Sequence, residues 1–201
     1  MGLVAFWRIV GPGYTWLASA VTLVFGIAAA IAVSGPLVWG GCALALAAGA
    51  TARRPPAVVM LAGLSAVLFA VAAAQDGGAL LAVSGAVFLG GVTSEMMLGH
   101  WYLIAPRLPR SALRALAVVG GAGAAFDAIV VAARGAFPWA PEDFIMGVAF
   151  VVLSATSLLL MAAVFFALRE RGYSGVMAAT GLSYLAVLTS IGSAVLGRAL
   201  L

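Results

Sequence analysis

The stretch ALLAVSGAVFLGGVTSEMMLGHWYLIAPRLPR, residues 79–110, decides how the chain is read. Positions 79–105 contain no proline, lysine or arginine, and the stretch then closes on two prolines and two arginines. As a helix rising ~1.5 Å per residue, such a run exceeds the ~30 Å hydrocarbon core of a bilayer. A barrel strand would show about ten residues of alternating polarity, and this segment shows none. Yet it carries Glu95, the only histidine of the protein at position 100, and then Trp101 and Tyr102.

The same apolar texture extends in both directions. Further runs cover 14–33, 36–52, 56–75, 111–133, 144–168 and 173–200. The separators SGP, ARRPP, QDGG, PRLPR, GAFPWAPED and RERG hold the breaker residues and most of the charge. The 201 residues are 65% hydrophobic and 8% charged, with mean hydropathy +1.21. A soluble domain of this size needs roughly a quarter of its residues charged. In lipid every backbone N–H and C=O must be paired inside its own element, which leaves helices as the solution here. The expectation is an all-α polytopic membrane protein, one transmembrane domain over 1–201 with seven helices. The run 36–52 is the shortest, and at ~1.5 Å per residue it nearly spans the core.

Arginine placement sets the expected orientation. Arg8, Arg53, Arg54, Arg107, Arg110, Arg114, Arg169 and Arg171 fall on one side of such a seven-helix path, against Arg134 and Arg198 on the other. Cytoplasmic loops carry the basic excess, so the N-terminus is expected in the cytoplasm and the C-terminus outside, in the inner (cytoplasmic) membrane. Trp7, Trp16 and Trp101 then fall near the inner headgroups, Trp39 and Trp139 near the outer ones. The net charge of +4 is accounted for by topology. It forms no concentrated basic face of the kind nucleic acid needs.

Twenty-five glycines have a packing explanation, since small residues let membrane helices approach closely. Gly85, Gly90, Gly91 and Gly99 on the fourth run, and Gly120, Gly121, Gly123 and Ala124 on the fifth, suit such contacts. The stretch GGAGAAFD follows no strand and lacks nucleotide-binding spacing.

Several chemistries are excluded. The ten basic residues are all arginine, so no lysine is present for a retinal or pyridoxal Schiff base. One cysteine, Cys42, and one histidine cannot build a zinc site with these scattered carboxylates. The segment AVSGAVF around Ser84 is similar to the serine motif of rhomboid intramembrane proteases over seven residues. The histidine partner which that resemblance implies on a late helix is absent, because no histidine follows His100.

Two acids fall inside apolar runs, Glu95 and Asp127. A carboxylate in mid-bilayer costs at least ~2.5–3.5 kcal/mol on insertion scales, so both should face protein or water. At 100° per residue, Glu95 shares a helical face with Phe88, Gly91, Leu98, Gly99 and Tyr102, while His100 lies about 140° away. His100, Glu95 and Asp127 would sit at depths of ~7, ~15 and ~24 Å, a conceivable stair for a proton relay.

His100, Trp101 and Tyr102, near the inner headgroups, offer hydrogen-bond donors and aromatic walls for a quinone head group. Haem held by two histidines is excluded for this chain alone, and His/Met ligation would need a methionine from another helix. The functional expectation is therefore a small subunit of a respiratory or photosynthetic-type electron-transfer complex, lining a quinone or cofactor site. It would associate with other membrane subunits or with itself. A proton-coupled transporter or channel using Glu95 and Asp127 is the first alternative. A scaffold or assembly protein whose acids only pair helices is the second.

Overall fold

The computed structural model describes residues 2–33, 35–75, 78–105, 108–136 and 141–201. Asp76 of the separator QDGG, Arg107, counted above on the inner side, and Trp139, placed above near the outer headgroups, lie outside these. Among the described residues all regular elements are helical: α1 (Gly2–Phe6), α2 (Pro12–Val33), α3 (Pro36–Ala50), α4 (Pro55–Gln75), α5 (Ala79–Ile104), α6 (Arg110–Val131), α7 (Phe144–Ala167) and α8 (Tyr173–Ala199). Each of the seven apolar runs is thus one helix, α2 to α8. Three of them open on proline (Pro12, Pro36, Pro55), whose missing N–H is no loss in a first turn. Among the described residues six helices are long and apolar enough to cross a membrane, and α3, with 15 residues, is shorter. The contacts divide the chain into two compact units, Met1–Ala79 and Leu80–Leu201.

In the first unit α3 packs against both α2 and α4. A Cβ at Gly49 would touch Ser19, and one at Gly26 would touch Cys42 and Phe69. Sequence numbers on α2 and α3 therefore rise in opposite directions along the contact. The Ser65 hydroxyl of α4 donates to the carbonyl of Gly41 on α3 at 2.7 Å. The short α1 buries Val4 and Ala5 and packs against α4. It turns into α2 through Arg8, whose φ of 55° is the left-handed conformation that L side chains seldom adopt.

The second unit is a closed ring of four helices. Gly91 of α5 meets the backbone of Gly120 on α6, and Gly123 meets the backbone of Phe88. Met161 of α7 packs on Gly120 and Gly121 of α6. Between α7 and α8, Ser154 and Ser193 hydroxyls lie 2.7 Å apart, and Ser157 donates to Thr189 at 2.9 Å. Gly99 against Thr180 joins α5 to α8 and completes the ring. The interior is small and hydroxylated, with Ser84, Ser154, Ser157, Thr180, Ser183, Ser190 and Ser193 all buried. This suits a lipid solvent, where close backbones and interhelical hydrogen bonds hold helices together.

The two ends of the ring differ. At one, the Arg110 guanidinium of α6 binds the carbonyls of Glu170, of Arg171 at 2.9 Å and of Gly172 at 3.1 Å, covering the α7–α8 turn. Arg169 stacks on Phe165 and Phe166 in the same turn, 5.0 and 4.9 Å from the ring centroids. At the other end, α6 runs into a wider turn over Ala132–Ala136, where Gly135 takes a φ of 104°. Val131 and Phe150 pack there with Leu81 and Leu196.

Candidate functional site

Glu95 is 0% exposed. The buried residues of α5 include Phe88, Gly91, Leu98, Gly99 and Tyr102, the helical face assigned to Glu95 from its spacing. The Ser183 hydroxyl of α8 is hydrogen-bonded to Glu95 Oε2, and it also lies 2.7 Å from the Ala179 carbonyl. A hydroxyl has one proton. If that proton goes to the carbonyl, which can only accept, the Glu95 contact requires a proton from the carboxyl itself. Glu95 Oε1 and, two turns along α8, Ser190 Oγ are buried without a hydrogen-bond partner among the described residues.

Asp127 is equally buried, at 1% exposure, and fully partnered. Arg198 grips it with both ends of its fork, Nη1 to Oδ2 at 2.8 Å and Nη2 to Oδ1 at 2.7 Å. Ser84 of α5 donates to Oδ1 at 2.5 Å. Arg198 also reaches the Leu81 carbonyl at 2.8 Å. A Cβ on Gly85 would strike the guanidinium, so glycine there makes room for it. One ion pair thereby ties α5, α6 and α8 together. Bidentate geometry with the remaining valences satisfied is the condition under which a buried pair holds.

His100 faces outward. Its Nδ1 is 2.9 Å from the Tyr184 hydroxyl, and the rings meet edge to face at 6.4 Å. Tyr102 is buried at 6% exposure, while Trp101 is half-buried. The three consecutive side chains therefore diverge, and the phenol beside His100 is Tyr184 of α8. Ser183 and Tyr184 are successive residues, so α8 supplies one partner to Glu95 and the next to His100. Asp127 stands apart from both: its α5 partner Ser84 precedes Glu95 by 11 positions, ~16 Å along the helix. Among the described residues no three His, Cys, Asp or Glu side chains gather as a metal site.

Sequence reasoning passed over Ser183, Tyr184 and the pairing of Arg198. The signal available was the polar pair inside GLSYL, residues 181–185. In the sequence Arg198 reads only as an outer-side charge. No family model, curated protein or solved structure matches this chain.

Proposed function

We propose that the chain is an integral subunit of a membrane electron-transfer complex, of respiratory or photosynthetic type, and that His100 and Tyr184 receive a quinone-type head group. The observation that carries this is the outward-facing imidazole already hydrogen-bonded through Nδ1 to a phenol. When Tyr184 donates to Nδ1, Nε2–H is a donor suited to a quinone carbonyl. When the tautomer reverses, Nε2 is an acceptor suited to a quinol hydroxyl. Trp101 is next to the pair in sequence, and Glu95 contributes a nearby buried acid through the adjacent residue of α8.

The complex would lie in the cytoplasmic membrane, with the N-terminus inside and the C-terminus outside. The seventh crossing is α3, which at ~1.5 Å per residue covers ~22 Å. Its antiparallel course between α2 and α4 supports counting it as a span, because Arg53 and Arg54 then return to the side of Arg8.

Binding of a water-soluble short-chain quinone to purified protein tests the reading. His100→Ala and Tyr184→Phe should each weaken it about tenfold, the value of one lost hydrogen bond of ~1.4 kcal/mol. Unchanged binding in both variants would overturn it.

A second reading, proton-coupled transport, is favoured by the partnerless buried oxygens of Glu95 and Ser190. In that case Glu95 carries the proton and the Asp127–Arg198 pair closes the outer end. Glu95→Gln would then abolish proton uptake by proteoliposomes, whereas in the first reading no such uptake exists to lose.

A further inference from the structure

Residues 1–79 contain three arginines, Arg8, Arg53 and Arg54, and a single acid, Asp76. Asp76 follows Gln75, the last residue of α4, whereas the arginines precede its first turn or lie in α1's exit. Folding of the first unit brings the start of α2 beside the α3–α4 turn. Between them is a cleft of about 630 Å³ lined by Gly13, Trp16, Thr51, Arg53 and Arg54. A second hollow, of about 460 Å³, begins at the next residue along the chain and is lined by Phe6, Arg8, Pro55, Pro56, Val59 and Met60. The guanidinium groups of Arg53 and Arg54 are exposed and make no hydrogen bond or ion pair with the described residues. The Thr51 hydroxyl is already committed to the Ala47 carbonyl at 2.9 Å. Pro55 and Pro56 have no N–H, so the start of α4 offers an anion little besides these guanidinium groups.

We infer that this end of the unit binds one anionic phospholipid. Arg53 and Arg54 hold its phosphate beside Trp16, Arg8 flanks it, and an acyl chain runs along Phe6, Val59 and Met60. Three features separate this from a charge bias that only sets topology. Positive-inside orientation needs charge and no cavity. All ten basic residues are arginine, whose planar fork matches phosphate oxygens where lysine presents a point charge. The adjoining hollow is apolar, with Phe6 and Met60 at 69% and 60% exposure, a surface useless to a free phosphate ion and suited to a lipid tail. Basic pockets at the cytoplasmic ends of membrane helices hold anionic head groups in this way.

The test is native mass spectrometry of the full chain released from nanodiscs of equal phosphatidylglycerol and phosphatidylcholine. The expected result is one retained phosphatidylglycerol, preferred about thirtyfold over phosphatidylcholine, the scale of two arginines acting at an anionic surface. Arg53→Lys/Arg54→Lys keeps the charge and the topology signal and should lose part of the preference. Arg53→Gln/Arg54→Gln should lose all of it, with the unfolding temperature of each variant confirming that the chain still folds. Equal retention of both lipids by the wild type, or wild-type preference in the glutamine variant, overturns the inference. Displacement of the lipid by millimolar inorganic phosphate also overturns it, since the site would then be one for the free ion.

Discussion

Asp127 accepts two guanidinium hydrogen bonds and one from a serine, while Glu95, as deeply buried, shares a single serine. Burying a charge without full compensation costs several kcal/mol. Asp127 meets that cost with Arg198, a third exposed. Asp127→Ala should therefore destabilise the protein by about 2–4 kcal/mol, because it leaves the guanidinium over the bundle end without its counter-charge. The Asp127→Ala/Arg198→Ala double variant should lose less than the sum of the singles, by about 1–3 kcal/mol, in denaturant titrations in detergent. Strict additivity would mean that the pair is not a clamp. Glu95→Gln should behave oppositely and stay within about 1 kcal/mol of the wild type. Its amide keeps a hydrogen bond with Ser183 at nearly the same shape, and one neutral hydrogen bond is worth about that much. A large loss would show that the ionised form is the one the bundle holds.

At the scale of helices, the contacts that close the second unit are backbone contacts. A Cβ on Gly123 would lie 2.7 Å from Phe88 N and Cα, atoms that cannot move without moving α5. Gly63 on α4 has nothing within 4 Å of the same position. Gly123→Ala should thus cost about 1–3 kcal/mol through forced separation of α5 and α6. Gly63→Ala should be neutral or gain up to ~1 kcal/mol from helix propensity. Paired thermal melts check both, and equal effects at the two sites would sink the close-approach account. Gly90, which the sequence groups with Gly91 as a packing residue, also has open space around it. Composition can nominate small residues, but helix rotation decides which of them face a neighbour.

For the molecule as a whole, the arginines gather at chosen ends within each unit: Arg53 and Arg54 beside the start of α2, and Arg110 across the α7–α8 turn. The positive-inside bias converts this into an orientation that can be measured. Cysteines introduced singly at Arg54, Arg110 and Glu170, with Cys42 replaced because it is the one native thiol and is buried, should all label from the cytoplasmic side only. Labelling of any one from outside would break the seven-span path, and for Arg54 it would mean that α3 turns back without crossing.

The all-helical class, the positions of seven apolar helices and the need to shelter Glu95 and Asp127 were legible in the sequence. Each follows from a local quantity: the length of a run, the place of a breaker, or the cost of one carboxylate in lipid. Helical geometry likewise put Glu95 and Tyr102 on one face and His100 on another. What remained hidden were the partners. Ser183 lies 88 positions from Glu95, Tyr184 84 from His100 and Arg198 71 from Asp127. No periodicity within a helix carries information about which residue of another helix will stand opposite. That depends on the rotation and vertical register of α5, α6 and α8, and these are set by where glycine permits backbones to touch. Two acids that look alike as letters in apolar runs are, for that reason, different chemical groups in the fold: one neutralised by an arginine, the other held by a single hydroxyl.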